Sequence, residues 1–479
     1  MKYNFLLIVC LLTVTCSHKS KTILYSAPEQ EKKSDDFEMF VNTKPVFVYQ
    51  ARVSKYPINQ IWPGYQRPLD QTEIASFVYF DFEGKAEIEI ISNEEIKSLV
   101  IRPKEYGIIP AVTGKSIKIK ISKPSQFVVE VNGYHKALHI FANPIETFKI
   151  DKKDPMVHYY GPGMHDAGII KLNSNETVFI DGGAIVYGII QSENTRNVKI
   201  AGRGILDASK IARHEAPNMI SLKQVVNAHV SGIILRDPHI WAVLPGNSDS
   251  ITIDNLKLIG LWRYNSDGID IVNSKNVTIK NTFIRAFDDN IAIKGLKGAY
   301  DEQHKIIENI IVDNCVLWND WGRPIELGLE TVVDTMKNIT FSNCYIPHFT
   351  WIAIDIQNGD RGYVKDVHFK NIFIEDPILD SITLGTDPMD KKELGKTIEL
   401  IIKGFDWWTT DTIRGNINNI YFTNIRYNSA NPTFINLVGY DSTHMVNNIF
   451  IKDYFINGIK ITDQHSIKKN GFVKNVFIE

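Results

Sequence analysis

The chain has 479 residues, 44% apolar and 23% charged, with 53 Lys and Arg against 55 Asp and Glu for a formal net charge of −2. That balance leaves no basic excess for neutralising phosphates and argues against a nucleic-acid partner. Four cysteines are too few for a disulfide framework, and the length exceeds one compact domain unless a repeat extends it.

Behind Lys2, Phe5 to Leu12 form a short apolar run. This is the pattern of an export signal rather than a membrane span, so residues 1–16 are read as a signal peptide. Thr13-Val14-Thr15-Cys16 resembles a bacterial lipobox, with Thr15 where a smaller residue is usual. Two readings stand: a lipidated Cys16 tethering a periplasmic or cell-surface protein, or plain secretion. Residues 17–36 are polar and charged and read as a linker.

Residues 37–150 carry short alternating runs such as Phe77-Val78-Tyr79-Phe80-Asp81-Phe82, Ala86-Glu87-Ile88-Glu89-Ile90 and Ile117-Lys118-Ile119-Lys120-Ile121. Their spacing predicts a small antiparallel β-sandwich. Asn143 to Gly163 reads as the junction to a second domain, residues 151–479.

There the chain repeats itself, and such periodicity is read first. Copies of Asn-apolar-x-apolar have their first apolar residue at Val198, Ala228, Ile251, Val277, Ile310, Ile339, Val367, Ile420, Ile449 and Val476. The intervals are 30, 23, 26, 33, 29, 28, 53, 29 and 27 residues. Each copy alternates β-branched and polar residues, the period of a strand with one buried face. Four residues on come Gly202, Gly232, Asn255, Asn281, Asn314, Asn343, Asn371, Asn424 and Asp453, the types that tolerate left-handed backbone. Strand, left-handed turn and strand at this period predict a right-handed parallel β-helix behind the sandwich, an all-β fold. The 53-residue interval must hold an insertion or a missed coil.

Two acidic clusters stand out: Asn265-Ser266-Asp267-Gly268-Ile269-Asp270, and Asp288-Asp289-Asn290, whose acids follow Asp267 by 21 and 22 residues. Near one coil apart, they should fall on one face of adjacent coils. Three carboxylates sharing a site raise at least one pKa, and a proton donor beside acceptors is the equipment for glycosidic cleavage. A single Asp here could equally cap a turn, and clustered carboxylates could bind a hard cation such as calcium.

The motif Asn-Ser-Asp-Gly-Ile-Asp (265–270) with Asp-Asp-Asn-Ile-Ala-Ile-Lys (288–294) resembles the polygalacturonases of glycoside hydrolase family 28 and the related dextranases and isopullulanases of family 49. A sandwich in front of a β-helix is similar to the family 49 arrangement. The resemblance implies hydrolysis with inversion: Asp288 protonates the leaving oxygen, Asp267 and Asp289 activate water, and Asp270 and Lys294 support them. The Gly-His-Gly and Arg-Ile-Lys motifs with which polygalacturonases hold a uronate are absent. The corresponding region reads Trp321-Gly322-Arg323-Pro324-Ile325-Glu326-Leu327-Gly328. Trp321, Arg323 and Glu326 are the expected substrate-binding residues there. Arg323 could pair with a uronate or sulfate, and Glu326 would repel one, so galacturonan, neutral glucan and sulfated glycan all stand.

Trp262, Tyr264, Trp318, Trp321, Trp351, Trp407 and Trp408 are candidate subsite walls, since sugar faces stack on aromatic rings. His239 and His348 read as packing residues, and Cys315 and Cys344, 29 residues apart, as stacked apolar side chains. The expectation is an exported, monomeric glycoside hydrolase acting on a polysaccharide or oligosaccharide without cofactor or metal. A lyase or epimerase using a carboxylate-bound cation, or a non-catalytic carbohydrate-binding β-helix, are the rivals.

Overall fold

The computed structural model describes residues 20–57, 61–213, 215–216, 218–297, 306–379, 394–404, 409 and 411–479. The signal segment, Cys16, Trp407 and Trp408 lie outside them. Among the described residues no helix is long and apolar enough to cross a membrane.

The alternation of the N-terminal runs decides which side chain meets which neighbour. In the strand Thr72–Glu83, Val78, Phe80 and Phe82 point into the core between two sheets, while Phe77 and Tyr79 point the other way, onto the solenoid. One sheet therefore lies between its sandwich partner and the second domain. That is why its central strand reads as a continuous apolar run. Full burial of each such side chain contributes about 1.5–3 kcal/mol.

The sandwich differs from the expectation in two respects. Leu138–Asn143 runs parallel to Thr72–Glu83, so the sheet is not purely antiparallel. Residues 17–36 are not simply linker, because Lys21–Leu24 pairs antiparallel with the same central strand. The half-buried Ile23 and Leu24 give that polar stretch a sheet edge to join. Tyr25 then stacks on Tyr79 with ring centroids 5.4 Å apart, and Glu31 pairs with Arg236 of the solenoid at 2.6 Å.

From Val157–Tyr160 onward, 29 strands of the described residues form one continuous sheet wound into a right-handed parallel β-helix. The ten apolar positions of the repeat pair directly, one above the next, from Val198 to Val476. Val367 meets Ile420 with no rung between them, so the 53-residue interval is one coil with an insertion and not a missed coil. The turn residues adopt the left-handed backbone, and their side chains form ladders. Asn314 donates to Asn281, and Asn424 to Asn371, each at 2.8 Å. Cys315 and Cys344 are free thiols inside the solenoid.

Buried ion pairs join the domains: Arg203 to Asp81 at 3.0 Å and Glu146 at 2.5 Å, and Arg102, which also pairs with Glu130 of its own sheet at 2.8 Å, to Glu375 at 2.5 Å. His348 belongs to this joint, with Nε2 2.6 Å from Glu130 Oε1. His239 Nε2 lies 2.9 Å from the Ala216 carbonyl oxygen.

Candidate active site

Two adjacent strands, Ile269–Val272 and Ile291–Gly295, align Asp270 with Ala292 and Val272 with Lys294. Just before them the acidic segments pair as well. The Gly268 N–H donates to the Asp289 carbonyl at 2.8 Å, and that of Ile269 to Asn290 at 2.9 Å. This contact requires Gly268, since a Cβ there would stand 2.4 Å from the Asn290 carbonyl oxygen. Asn290 pins the turn by donating to the Ile284 and Trp318 carbonyls, both at 2.9 Å, and Asn319 Nδ2 holds the Asp288 carbonyl at 2.6 Å.

The outcome is one cluster. Asp267, Asp288 and Asp289 each offer an oxygen, and these oxygens lie within 4.8 Å of one another. Asp267 and Asp289 are buried, whereas Asp288 is partly open. Lys294 Nζ sits among the acids, 2.9 Å from Asp270, 3.2 Å from Asp267 and 3.9 Å from Asp289. The Arg323 N–H donates to Asp289 Oδ1 at 2.9 Å. Three carboxylates so placed could hold a hard cation, but the Lys294 ammonium already supplies a positive charge beside Asp267 and Asp289.

Burial and mutual repulsion set the protonation. Burial, reinforced by Asp289, pushes Asp288 up to about 6 against the pull of Lys294 and Arg323. Burial and the neighbouring Asp270 push Asp267 well above the usual carboxylate range. Asp270 rises to about 7 through burial, opposed by Lys294. Burial alone would lower Lys294, but Asp270 and Asp267 overcome it and hold the ammonium charged. The cluster thus keeps protons near neutrality while retaining carboxylate acceptors.

Of the residues expected to bind substrate, Arg323 and Glu326 lie beside this cluster, and Trp321 lies beneath it. Arg323 Nε is 3.4 Å from Glu326 and 3.2 Å from Asp355, and its guanidinium lies 4.1 Å from the Trp351 ring centroid. Trp321 is only 4% exposed and packs with Trp62 and Phe287, so it supports the site and forms no open wall. The reason is a sandwich segment carrying Trp62 that covers it. Trp318 is fully buried against the sandwich, and Trp262 is tied to Asp237 by its indole N–H at 2.9 Å. Tyr264 and Trp351 remain half-buried at the face.

Sequence reasoning missed several neighbours. Tyr65, from the sandwich, stacks on Tyr264 with centroids 5.3 Å apart, and the Arg213 guanidinium lies 4.8 Å from the Tyr65 ring. Nothing in the chain's periodicity could flag Tyr65, roughly two hundred residues from its partner. Trp241 covers Lys294 at 4.4 Å. Asp355 and Glu399 continue the face on later rungs, and Asp355 follows Glu326 by 29 residues, a spacing the repeat already contains. A cavity of about 1770 Å³ lies elsewhere, between sandwich and solenoid, lined by residues including Tyr106, Phe148, Arg203 and Tyr345. It contains none of the clustered carboxylates.

Residues 170–470 match the family described as Glycosyl hydrolases family 28. An endo-polygalacturonase of Pectobacterium carotovorum subsp. carotovorum is 26% identical over 171 residues, 35% of this chain and 40% of that one. An endo-polygalacturonase of Pectobacterium parmentieri is 27% identical over the same length, with the same coverage. The chain thus spans between 40% and 64% of the length of these and other curated relatives it matches. Among solved structures, Dex49A from Penicillium minioluteum superposes with a TM-score of 0.67 at 15% identity, covering 96% of each chain. That likeness concerns the fold, sandwich and solenoid together.

Proposed function

We propose, because this chain belongs to glycosyl hydrolases family 28, that it hydrolyses O-glycosidic bonds of a polysaccharide or oligosaccharide by acid-base catalysis. The observation that carries the reading is the partly open Asp288 beside the buried Asp267 and Asp289, their oxygens within 4.8 Å. Asp288, with its pKa near 6, donates its proton to the glycosidic oxygen as the bond to the anomeric carbon breaks. Asp289 deprotonates a water that attacks that carbon, and Asp267 helps to orient that water. Lys294 and the Arg323 N–H hold the two acceptors in place. Asp270 fixes Lys294, and Glu326 fixes Arg323.

Inversion is proposed from family membership. The general rule ties it to carboxyl groups about 6.5–9.5 Å apart and retention to about 5–5.5 Å, so the 4.8 Å limit between these oxygens does not itself support it. Proton NMR of the first product decides: the anomer opposite to the substrate's supports inversion, and the same anomer overturns it.

The cation-dependent lyase or epimerase draws on the same three oxygens. A reducing-sugar screen over galacturonans, dextran, pullulan and sulfated galactans, with and without chelator, separates the two. Hydrolysis predicts release that survives chelation with no unsaturated, ultraviolet-absorbing product. Release abolished by chelator, or an absorbing product, overturns it. We further propose export as a monomer, with Cys16 as lipid anchor; palmitate labelling lost on Cys16→Ala tests the anchor.

A further inference from the structure

Along the solenoid, one outward position recurs on successive rungs: Asp270, Ala292, Glu326, Asp355, Glu399 and Asn436. Rungs lie about 4.8 Å apart, so on the C-terminal side of the catalytic cluster the face carries acid above acid. With Asp267, Asp288 and Asp289 this makes seven carboxylates, and the cations among them are Lys294, Arg323 and Lys396. Each cation is already committed: Lys294 to Asp270 and Asp267, Arg323 to Asp355 and Glu326, and Lys396 to Glu399 at 2.8 Å. Arg213, the neighbouring guanidinium, donates to the Tyr264 carbonyl and to Asn265 Oδ1.

Several carboxylate oxygens have capacity left. Asp267 Oδ1 and Asp355 Oδ1 are buried and accept no hydrogen bond. Such oxygens are matched by hydroxyl donors, and two adjacent hydroxyls on one ring can donate to both oxygens of a carboxylate. A uronate or sulfate brings only acceptors and a further negative charge, and among the described residues the cations of this row are already paired with its acids.

We propose that the substrate of this cleft is an uncharged, hydroxyl-rich glycan, and that polyuronates and sulfated glycans are excluded by the acidic row Asp270, Glu326, Asp355 and Glu399. The proposal rests on the hydrolase reading for the cleft's role, but its binding consequence stands separately.

Paired polymers test this by affinity electrophoresis of the Asp288→Asn protein and by reducing-sugar assay of the wild type. The pairs are polygalacturonate with its carboxyl-reduced galactan, and a sulfated galactan with its desulfated form; dextran, pullulan and a free-amine glucosaminan complete the set. The uncharged members should be preferred by about a hundredfold, and raising the salt should change their binding less than about twofold. The double substitution Glu326→Gln with Asp355→Asn should narrow the discrimination by about tenfold. An anionic member bound or cut better than its uncharged partner, the amine polymer bound best, or no uncharged polymer bound at all, overturns the proposal. Uncharged polymers bound by Asp288→Asn yet left uncut by the wild type would overturn the hydrolase reading alone.

Discussion

Gly322 offers a graded way to disturb the acid without removing it. A Cβ at this position would stand 2.7 Å from both Asp288 Oδ1 and the Asp288 carbonyl carbon, and 2.7 Å from the Asp289 nitrogen. Ordinary contact begins near 3.4 Å, so Gly322→Ala must move the Asp288–Asp289 backbone by about 0.7 Å or more. Two of the three atoms are backbone, held by the Asn319 and Asn290 hydrogen bonds, and cannot simply rotate aside. Misplacing a catalytic group by about 1 Å costs about a hundredfold in rate, and overpacking of this kind costs about 1–3 kcal/mol of stability. The expected outcome is kcat lowered by about 10- to 100-fold with KM within about threefold, in protein whose melting curve still shows a folded state. Assays well below its Tm, beside a circular dichroism melt, separate the two effects. Wild-type kcat in Gly322→Ala would refute the placement of Asp288 as the acid in contact with this glycine.

Three other outcomes follow from the structure. Because Asp288 is raised to about 6 and acts as the acid, its protonated form is complete below that pH and is lost above it. The alkaline limb of kcat/KM should therefore fall near pH 6, and activity flat from pH 5 to about 8 would contradict the assignment. Tyr65→Ala removes about 1 kcal/mol of ring stacking that holds Tyr264, a half-buried aromatic of the face, in place; KM should rise about fivefold with kcat unchanged, as initial-rate kinetics will show. Arg203→Met leaves Asp81 buried without its partner, and loss of one member of a buried pair costs about 3–5 kcal/mol. Its denaturant midpoint should fall accordingly, and an unchanged midpoint would mean that the domains do not depend on this contact.

Local pattern made the solenoid legible. The alternating copies around Val198 to Val476 and the left-handed residues four positions on pair in register as read, because strand period and turn chemistry are both local. The acid cluster was legible for the same reason, since one coil's spacing places Asp267 beside Asp288 and Asp289. Contacts closed over long separations were not. Trp318 looked like a subsite wall, yet its ring lies 5.7 Å from that of His139 in a sheet that packs from the other domain. Trp321 was misread similarly, being covered by Trp62. The strand Lys21–Leu24 hid in a polar segment because an edge strand needs only one modestly apolar face. Asp355 and Glu399 do sit on the repeat, but the insertion before Lys396 breaks the count for Glu399.

The central claim is that Asp288 supplies the proton that cleaves the glycosidic bond. The most direct measurement is the initial rate of reducing-end formation by Asp288→Asn beside the wild type, on the first polymer the wild type cuts. The amide keeps the volume and offers no transferable acid, so kcat should drop by about a thousandfold while Asp288→Asn still binds the polymer. A rate within about threefold of the wild type would contradict the account.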